Sequence, residues 1–352
     1  MGPVHSQEVL RTMFNDMHAA DKVYLPSPFW EALNEVQIKQ LEGHGLEHFK
    51  RTVNMRYFNW DLKGIVAHQL WPVLKHWANH PDFSVFSHGI AGNWSIPGER
   101  ETLISSLSQP LVNRTYATYL MLLKQYVAAN DPRGLLERIG EPLVGNPLVV
   151  KDGEKTISQD LCNSVHEFYS STRGVDVDKK GLSVFELGAG YGRVGFVFLK
   201  ALESSTYTIV DIPPALFVAQ SYLSTVFPDT KVFAFRPFRS YAEIKDEFES
   251  ARIRFIGAHQ IKLLPDKSAD LFINISSLHE MTMEQIDFYL KQIDRLTRGS
   301  FYLKQWRRSR SVANGFRIRE NDYPIPSRWS AVYRERHPLQ RMFFHALYSV
   351  PA

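Results

Sequence analysis

Through the first 150 or so residues, apolar positions recur at helical spacing. Residues 29–41 carry one such stripe. Ile65, Leu70, Val73 and Trp77 carry a second, and Leu120, Leu123 and Val127 a third. Glycine and proline cluster at 89–98 and 140–147, which read as loops. A further helix is predicted to begin at Thr156, with Gln159 completing a capping box three residues on. Ile157, Leu161, Val165 and Phe168 form its apolar face, with Cys162 beside it as a small buried residue. After Gly181 the period changes. Short apolar runs at 182–187, 207–212, 253–257, 271–275 and 301–303 read as strands, and residues 341–350 as a late one. Helical patterns lie between several of them, at 214–227 and 282–296. The second opens on a capping box, Thr282 and Gln285, and has Met283, Ile286, Leu290 and Ile293 as its inner stripe. A strand and helix at 231–248 have no assigned place in the strand order. Strands alternating with helices predict an α/β fold, a mostly parallel sheet with helices on both faces. The expected division is a mainly helical region at 1–155 and an α/β core at 156–352, with 307–352 completing the sheet.

Composition narrows the class. At 352 residues the chain exceeds what one compact core needs, and 44% hydrophobic with 22% charged residues is a globular balance. A single cysteine excludes an intramolecular disulfide framework and a cysteine-cluster zinc site. No apolar run reaches the length of a membrane span, and residues 1–13 lack the basic start and apolar stretch of a signal peptide. A soluble, cytoplasmic protein is expected. The net charge of +4 is unevenly placed. Between Trp306 and Arg341 stand nine arginines and three acids, a net +6, so the remainder sums to −2. That block is either a solvated surface or a region that meets an anion.

The strongest chemical signal is the run Val184-Phe-Glu-Leu-Gly-Ala-Gly-Tyr-Gly-Arg193. A strand enters a loop with glycines at 188, 190 and 192, and helical sequence follows. That order marks the ligand crevice of an open α/β sheet. Gly190, Gly192 and Gly195 also satisfy the dinucleotide spacing, but that frame leaves Gly188 inside the strand, and the frame starting at Gly188 meets Arg193 where it needs glycine. Glu186-Leu-Gly188-Ala-Gly190-Tyr-Gly192 resembles the first motif of class I S-adenosylmethionine-dependent methyltransferases. An acid there can face the ammonium group of the methyl donor, whereas it would repel a pyrophosphate. Asp211 ends the next strand, 25 residues beyond Glu186, where a carboxylate can accept bonds from both hydroxyls of a ribose. In similar methyltransferases the polar residue about four before a Leu-Pro pair binds adenine. Gln260 holds that place before Leu264-Pro265. The resemblance carries cofactor contacts onto Glu186, Gly188, Ala189, Gly190, Gly192, Asp211, Ile212, Gln260 and Asn274.

On the acceptor side, the strand at 270–275 leads into Ser276-Ser-Leu-His-Glu-Met281 at the edge that bears the glycine loop. His279 and Glu280 are the candidates for a general base, which a weakly nucleophilic hydroxyl requires. Here the chain resembles bacterial sugar O-methyltransferases. The matching stretches are Asn54-Met-Arg-Tyr-Phe-Asn-Trp60, Gly140-Glu-Pro-Leu-Val-Gly-Asn-Pro147, the glycine loop, Asn274-Ile-Ser-Ser-Leu-His-Glu-Met281 and Tyr302-Leu-Lys-Gln-Trp306. In that family the Glu-Met pair is the steadier element, which implies Glu280 as the essential group. The resemblance implies methyl transfer from S-adenosylmethionine, with S-adenosylhomocysteine as product, to a sugar hydroxyl of a glycan or secondary metabolite. The helical region would cover the acceptor side and offer a contact between copies of the chain.

Tyr302, Lys304, Trp306, Arg307 and Arg328 are the candidate acceptor contacts. Arginine forks suit the phosphates of a nucleotide-linked sugar, and Trp306, Tyr323 and Trp329 can stack on a ring. The alternative for the nine arginines is internal pairing with acids. His68, His76 and His80 have no carboxylate at helical spacing to complete a metal site, and no acidic pair follows the fourth core strand. Metal-independent activity is expected. The rival readings are a methyltransferase for a phenol or carboxylate, and a non-catalytic adenosyl- or nucleic-acid-binding module. No helix-turn-helix, finger or RNA-binding signature accompanies the arginines.

Overall fold

The computed structural model describes residues 7–50, 69–79, 109–309 and 317–351. The chain forms two compact units. One consists of Gly43–Ser170 with Pro338–Arg341, the other of Met1–Glu42, Ser171–His337 and Met342–Ala352. Ile65, His68, His80, Arg310, the loop expected at 89–98 and the stretch 54–60 lie outside the described residues.

In the first unit the helical stripes lie on helices Trp71–Asn79 and Gln109–Ala128. A hairpin of β1 (Val150–Asp152) and β2 (Lys155–Ile157) follows. Thr156 therefore does not begin a helix. Its hydroxyl donates to the Glu141 carbonyl at 2.7 Å and its own carbonyl accepts the Glu141 amide, so it is held extended. Helix Gln159–Thr172 is opened instead by Ser158, whose hydroxyl accepts the Leu161 amide at 2.9 Å. The same hydroxyl donates to the Glu141 carboxylate, and the other carboxylate oxygen pairs with buried Lys50. His76 packs edge-on to the Tyr126 ring, as an ordinary helix–helix contact.

The second unit is built on an eight-stranded sheet. Its strands are β3 (Ser183–Leu187), β4 (Thr206–Asp211), β5 (Val232–Phe233), β6 (Ile253–Gly257), β7 (Ala269–Ile275), β8 (Thr297–Trp306), β9 (Ser330–Arg336) and β10 (Phe343–Ser349). The spatial order is β5-β6-β4-β3-β7-β8-β10-β9. The six strands from β5 to β8 are parallel, and β10 then runs antiparallel between β8 and β9. The pair at 231–248 that had no assigned place supplies β5 at one edge and helix Lys245–Ser250. An all-parallel dinucleotide sheet has no such antiparallel ending. This is the class I methyltransferase fold, with helices on both faces.

Burial follows from that arrangement. β3, β6 and β7 are buried at every position, as central parallel strands must be, whereas β9 is an exposed edge. On one face Phe185, Phe272 and Phe301 line up across β3, β7 and β8, under Ile286, Leu290 and Ile293 of helix Met283–Leu296. That helix carries the expected Thr282–Gln285 capping box. On the other face helix Arg193–Ala201 packs so closely that a Cβ on Gly195 would sit 2.8 Å from the Tyr207 ring.

One buried carboxylate fixes the lower edge of the sheet. Asp270 accepts two bonds from Arg298 (2.8 and 3.1 Å), one from Lys179 (2.6 Å) and one from the Ser183 amide (2.9 Å). Burial opposes its charge, but these donors hold its pKa down at about 2. A depressed acid pKa contributes stability above the ordinary carboxylate range, and that stability is lost as pH falls through the folded value. Asp270→Asn is therefore expected to cost about 2 kcal/mol in urea unfolding at pH 7. The gap from wild type should narrow between about pH 4 and pH 2. A gap independent of pH would assign the cost to geometry rather than charge.

Candidate active site

The glycine loop leaves β3 with Gly188, Gly190 and Gly192 at φ of +74°, +59° and +83°. At Gly188 the constraint is double. The backbone is left-handed, and a Cβ would lie 2.4 Å from both Cβ and Oγ of Ser277. The loop after β3 thus lies directly against the Ser277 side chain of the loop after β7. On the other side, the Gly190 amide donates to Asp211 Oδ2 at 3.0 Å and the Ile212 amide to Oδ1 at 2.8 Å. Burial pushes the Asp211 pKa up to about 7, against the pull of these two amides, and Glu186 and Glu280 add repulsion. Ala189 is buried in the loop and Ile212 is partly buried against the core.

Glu186 lies beneath the loop, 2% exposed, and accepts the Tyr207 hydroxyl at 2.7 Å. Burial and this carboxylate hold the phenol far above its ordinary pKa.

Beyond β7, Asn274 is fully buried. Its amide group donates to the Leu187 carbonyl (2.8 Å) and to Ser277 Oγ (2.6 Å), and its oxygen accepts from Gln305. Gln305 is thereby oriented with its oxygen toward His279, where it accepts the backbone amide (3.1 Å) and faces Nδ1 at 2.8 Å. An amide oxygen only accepts, so Nδ1 carries the proton and Nε2 is the basic nitrogen of the neutral ring. Nε2 stands 3.4 Å from Glu280 Oε1. Glu280 Oε2 is buried and has no hydrogen-bond partner among the described residues, and the same is true of the Tyr323 hydroxyl. Burial, then Glu280 and Asp322, hold the Tyr323 pKa well above the ordinary phenol value.

The N-terminal segment adds residues that the sequence pattern did not single out. Asp16 of helix Gln7–His18 faces His259 Nε2 at 2.7 Å and accepts from the Gln260 amide at 3.3 Å. Gln260 also donates to the Arg236 carbonyl (2.9 Å) and accepts the Gly257 amide (2.8 Å), so its amide is held by protein partners. Further along, the Gln285 amide donates to the carbonyls of Val23 and Leu25, and the Ser27 hydroxyl donates to the Glu280 carbonyl at 2.7 Å. Residues 7–27 therefore run from the loop after β6 to the loop after β7. Met13 and Met17 seat the helix, a short apolar stripe that was its visible signal, while Asp16 had none.

Of the remaining expected contacts, Trp306 lies beside His279 and the other four have partners within the protein. Tyr302 and Lys304 are buried in the sheet, with the Tyr302 hydroxyl 3.3 Å from His345 Nδ1 and the Lys304 ammonium over the Phe343 ring. Trp306 is partly buried with its ring 5.6 Å from His279. Arg307 pairs with Glu320 at 3.0 Å, and Arg328 with Asp294, whose other oxygen accepts Trp329 Nε1 at 2.6 Å. Trp329 packs on Phe301 and Tyr348, and Tyr323 on Phe344, so neither ring is an open stacking platform. Among the described residues no group of three or more His, Cys, Asp or Glu is placed to hold a metal ion, and no helix is long and apolar enough to cross a membrane.

No family model matches the chain, and no curated protein matches it in sequence. Among solved structures, it is similar to the glycopeptide N-methyltransferase MtfA complexed with sinefungin, at 14% identity over 65% of this chain and 97% of that one, TM-score 0.36. It is similar to the Burkholderia thailandensis 1,6-didemethyltoxoflavin-N1-methyltransferase at 14% identity over 60% and 99%, TM-score 0.35. The mitomycin 7-O-methyltransferase MmcR matches at 12% identity over 48% and 49%, TM-score 0.35. At these scores the fold assignment rests on the strand order above, and neither acceptor nor chemistry is drawn from the likenesses.

The Asp16 contacts generate a test. Asp16→Ala removes the carboxylate that faces His259 and Gln260, and limited proteolysis between helix Gln7–His18 and Tyr24 is expected to quicken severalfold while the rest of this unit resists. An unchanged cleavage rate would assign the docking to Met13 and Met17 alone.

Proposed function

We propose that the chain is an S-adenosylmethionine-dependent O-methyltransferase whose acceptor is a sugar hydroxyl. The observation that carries this reading is the unpartnered, buried oxygen of Glu280, in a turn packed against the glycine loop. When bound, S-adenosylmethionine supplies an electrophilic methyl group. The residues present fit it. Asp211 gives each amide one oxygen and keeps further lone pairs on both for a ribose diol, and the loop at Gly188 to Gly192 presents backbone with no side chain in the way.

The acceptor hydroxyl is a weak nucleophile, so its proton must leave as the new bond forms. Glu280 Oε2 is the group available to take it. His279, with one proton fixed on Nδ1 by Gln305, turns an unprotonated Nε2 toward Glu280, where it is placed to accept the proton that the carboxylate takes from the hydroxyl. The resemblance of the Ser-Ser-Leu-His-Glu-Met turn to sugar O-methyltransferases supports a sugar acceptor. A phenol or carboxylate has less need of such a base. Because Arg307 and Arg328 are engaged by acids, the proposal favours an uncharged sugar over a nucleotide-linked one.

Two outcomes are expected. With labelled donor and a panel of free, nucleotide-linked and lipid-linked sugars, Glu280→Gln should lower kcat by about 100-fold or more while S-adenosylhomocysteine binding stays within about twofold. Turnover equal to wild type would remove Glu280 from the chemistry. The second outcome concerns Asp211, whose pKa of about 7 leaves it mostly protonated at pH 6. Since the ionised form accepts the ribose bonds, calorimetric affinity for S-adenosylhomocysteine should rise about fivefold to tenfold from pH 6 to pH 8. Asp211→Asn should flatten that profile, and a flat wild-type profile would count against the assigned contact.

A further inference from the structure

A second cavity opens at the opposite edge of the same unit. Its volume is about 390 Å³, and Ser183, Thr206 and Arg254, near the starts of β3, β4 and β6, line it together with Leu264, Pro265, Asp266 and Ser268. The glycine loop and Glu280 follow the other ends of the strands, roughly 15 Å away along five residues of strand.

Arg254 is the unusual member. It is 7% exposed, its guanidinium lies 4.5 Å over the Phe248 ring, and it donates to the carbonyls of Ala251 (3.0 Å) and Glu249 (3.3 Å). Among the described residues no carboxylate forms an ion pair with it. Glu249, the nearest acid in sequence, instead accepts the Tyr241 hydroxyl at 3.1 Å, and Asp266 at the cavity wall pairs with Arg295 at 2.6 Å. Glu249 acts on the guanidinium charge from a distance but makes no ion pair with it, so the fork keeps capacity for a directly bonded anion. Ser268 Oγ, also in the wall, is buried without a hydrogen-bond partner. Phe185, Phe248, Tyr241 and Leu264 supply the apolar and aromatic part of the lining.

We infer that this cavity is a binding site for a small organic monocarboxylate with a flat apolar body. The guanidinium fork matches a carboxylate, the aromatic walls match the body, and the Ser268 hydroxyl gives the carboxylate a second donor. A single charge fits better than two, because Glu249 and Asp266 at the walls would repel the second. The site is independent of the methyl-transfer reading, since none of its residues belongs to the glycine loop or to the turn after β7.

Benzoate is the probe. Calorimetry on the full chain, with and without saturating S-adenosylhomocysteine, should show saturable one-to-one benzoate binding of equal affinity in both cases. Benzamide and inorganic phosphate should bind at least tenfold more weakly. Arg254→Met should weaken benzoate at least tenfold. Arg254 also holds the end of helix Lys245–Ser250, so a second variant guards against misfolding. Ser268→Leu removes a hydroxyl that bonds nothing and fills the cavity, and it should abolish benzoate binding with an unchanged melting temperature in buffer alone. Absence of saturable binding, phosphate binding as tight as benzoate, competition by S-adenosylhomocysteine, or full benzoate affinity in folded Ser268→Leu would each overturn the assignment.

Discussion

A carboxamide sealed from water has four hydrogen-bonding positions and no solvent to satisfy any of them, so its partners must be supplied by the fold or the fold is destabilised. Asn274 is such a group, and what it binds sets the geometry of the upper edge of the sheet. Its two donors fasten the last residue of β3 and the Ser277 side chain, and its oxygen orients Gln305 on β8. From Gln305 the orientation passes to His279, and from His279 to Glu280. The glycine loop can approach only because Gly188 offers no Cβ to Ser277. Three strand ends and the proposed base are therefore positioned by one satisfied amide and one missing side chain. Asn274 was expected to touch the cofactor, and its bonds in the structure are to Leu187, Ser277 and Gln305.

The same crevice concentrates negative charge. Glu186, Asp211 and Glu280 act on one another strongly enough that Asp211 feels both of the others in addition to its burial. Like charges are held this close only where something offsets them. Part of the offset is visible, in the Tyr207 hydroxyl at Glu186 and the two amides at Asp211. The remainder gives the crevice a field that favours cations, which supports a cationic methyl donor and disfavours a dinucleotide pyrophosphate. That was the argument from Glu186 in the sequence. In the structure both carboxylates are buried, Glu186 against the Tyr207 hydroxyl and Asp211 against the Gly190 and Ile212 amides.

What was legible in the sequence follows from how local each determinant is. The alternation of apolar runs and helical stripes located β3, β4, β6 and β7 to within a residue or two, because buried parallel strands must be apolar throughout. The capping box at Thr282 was legible because its partner is three residues away. The one proposed at Thr156 failed because a non-local partner, Glu141, claims that threonine first. β9 escaped notice because an exposed edge strand carries polar residues at most positions. The strap from Asp16 to Ser27 is held by bonds more than 240 residues apart in the chain, and no periodicity encodes those. The glycine loop lay between these extremes, since its residue types report a backbone conformation that one short segment determines by itself.

The arginine block shows how far a charge count can stand from a binding surface. Nine arginines against three acids looked like a region awaiting an anion, yet the acids that answer them need not be nearby in sequence. Asp294 reaches Arg328 from helix Met283–Leu296 and Glu320 reaches Arg307, while Arg334 donates to the Glu320 carbonyl and the Asn321 side chain and covers the Phe344 ring. Each fork paired with a carboxylate loses the geometry that made arginine attractive for phosphate. Arg254 presents the opposite case. It lies in an unremarkable stretch of β6, in a part of the chain with no excess of basic residues, and its partners are carbonyls that carry no charge. Burial pulls its pKa down to about 10, which still leaves it a cation at neutral pH. A buried charge without a direct ion pair is a stronger demand for an anion than an excess of six in a tally, because water screens the surface block and cannot reach the buried fork as freely.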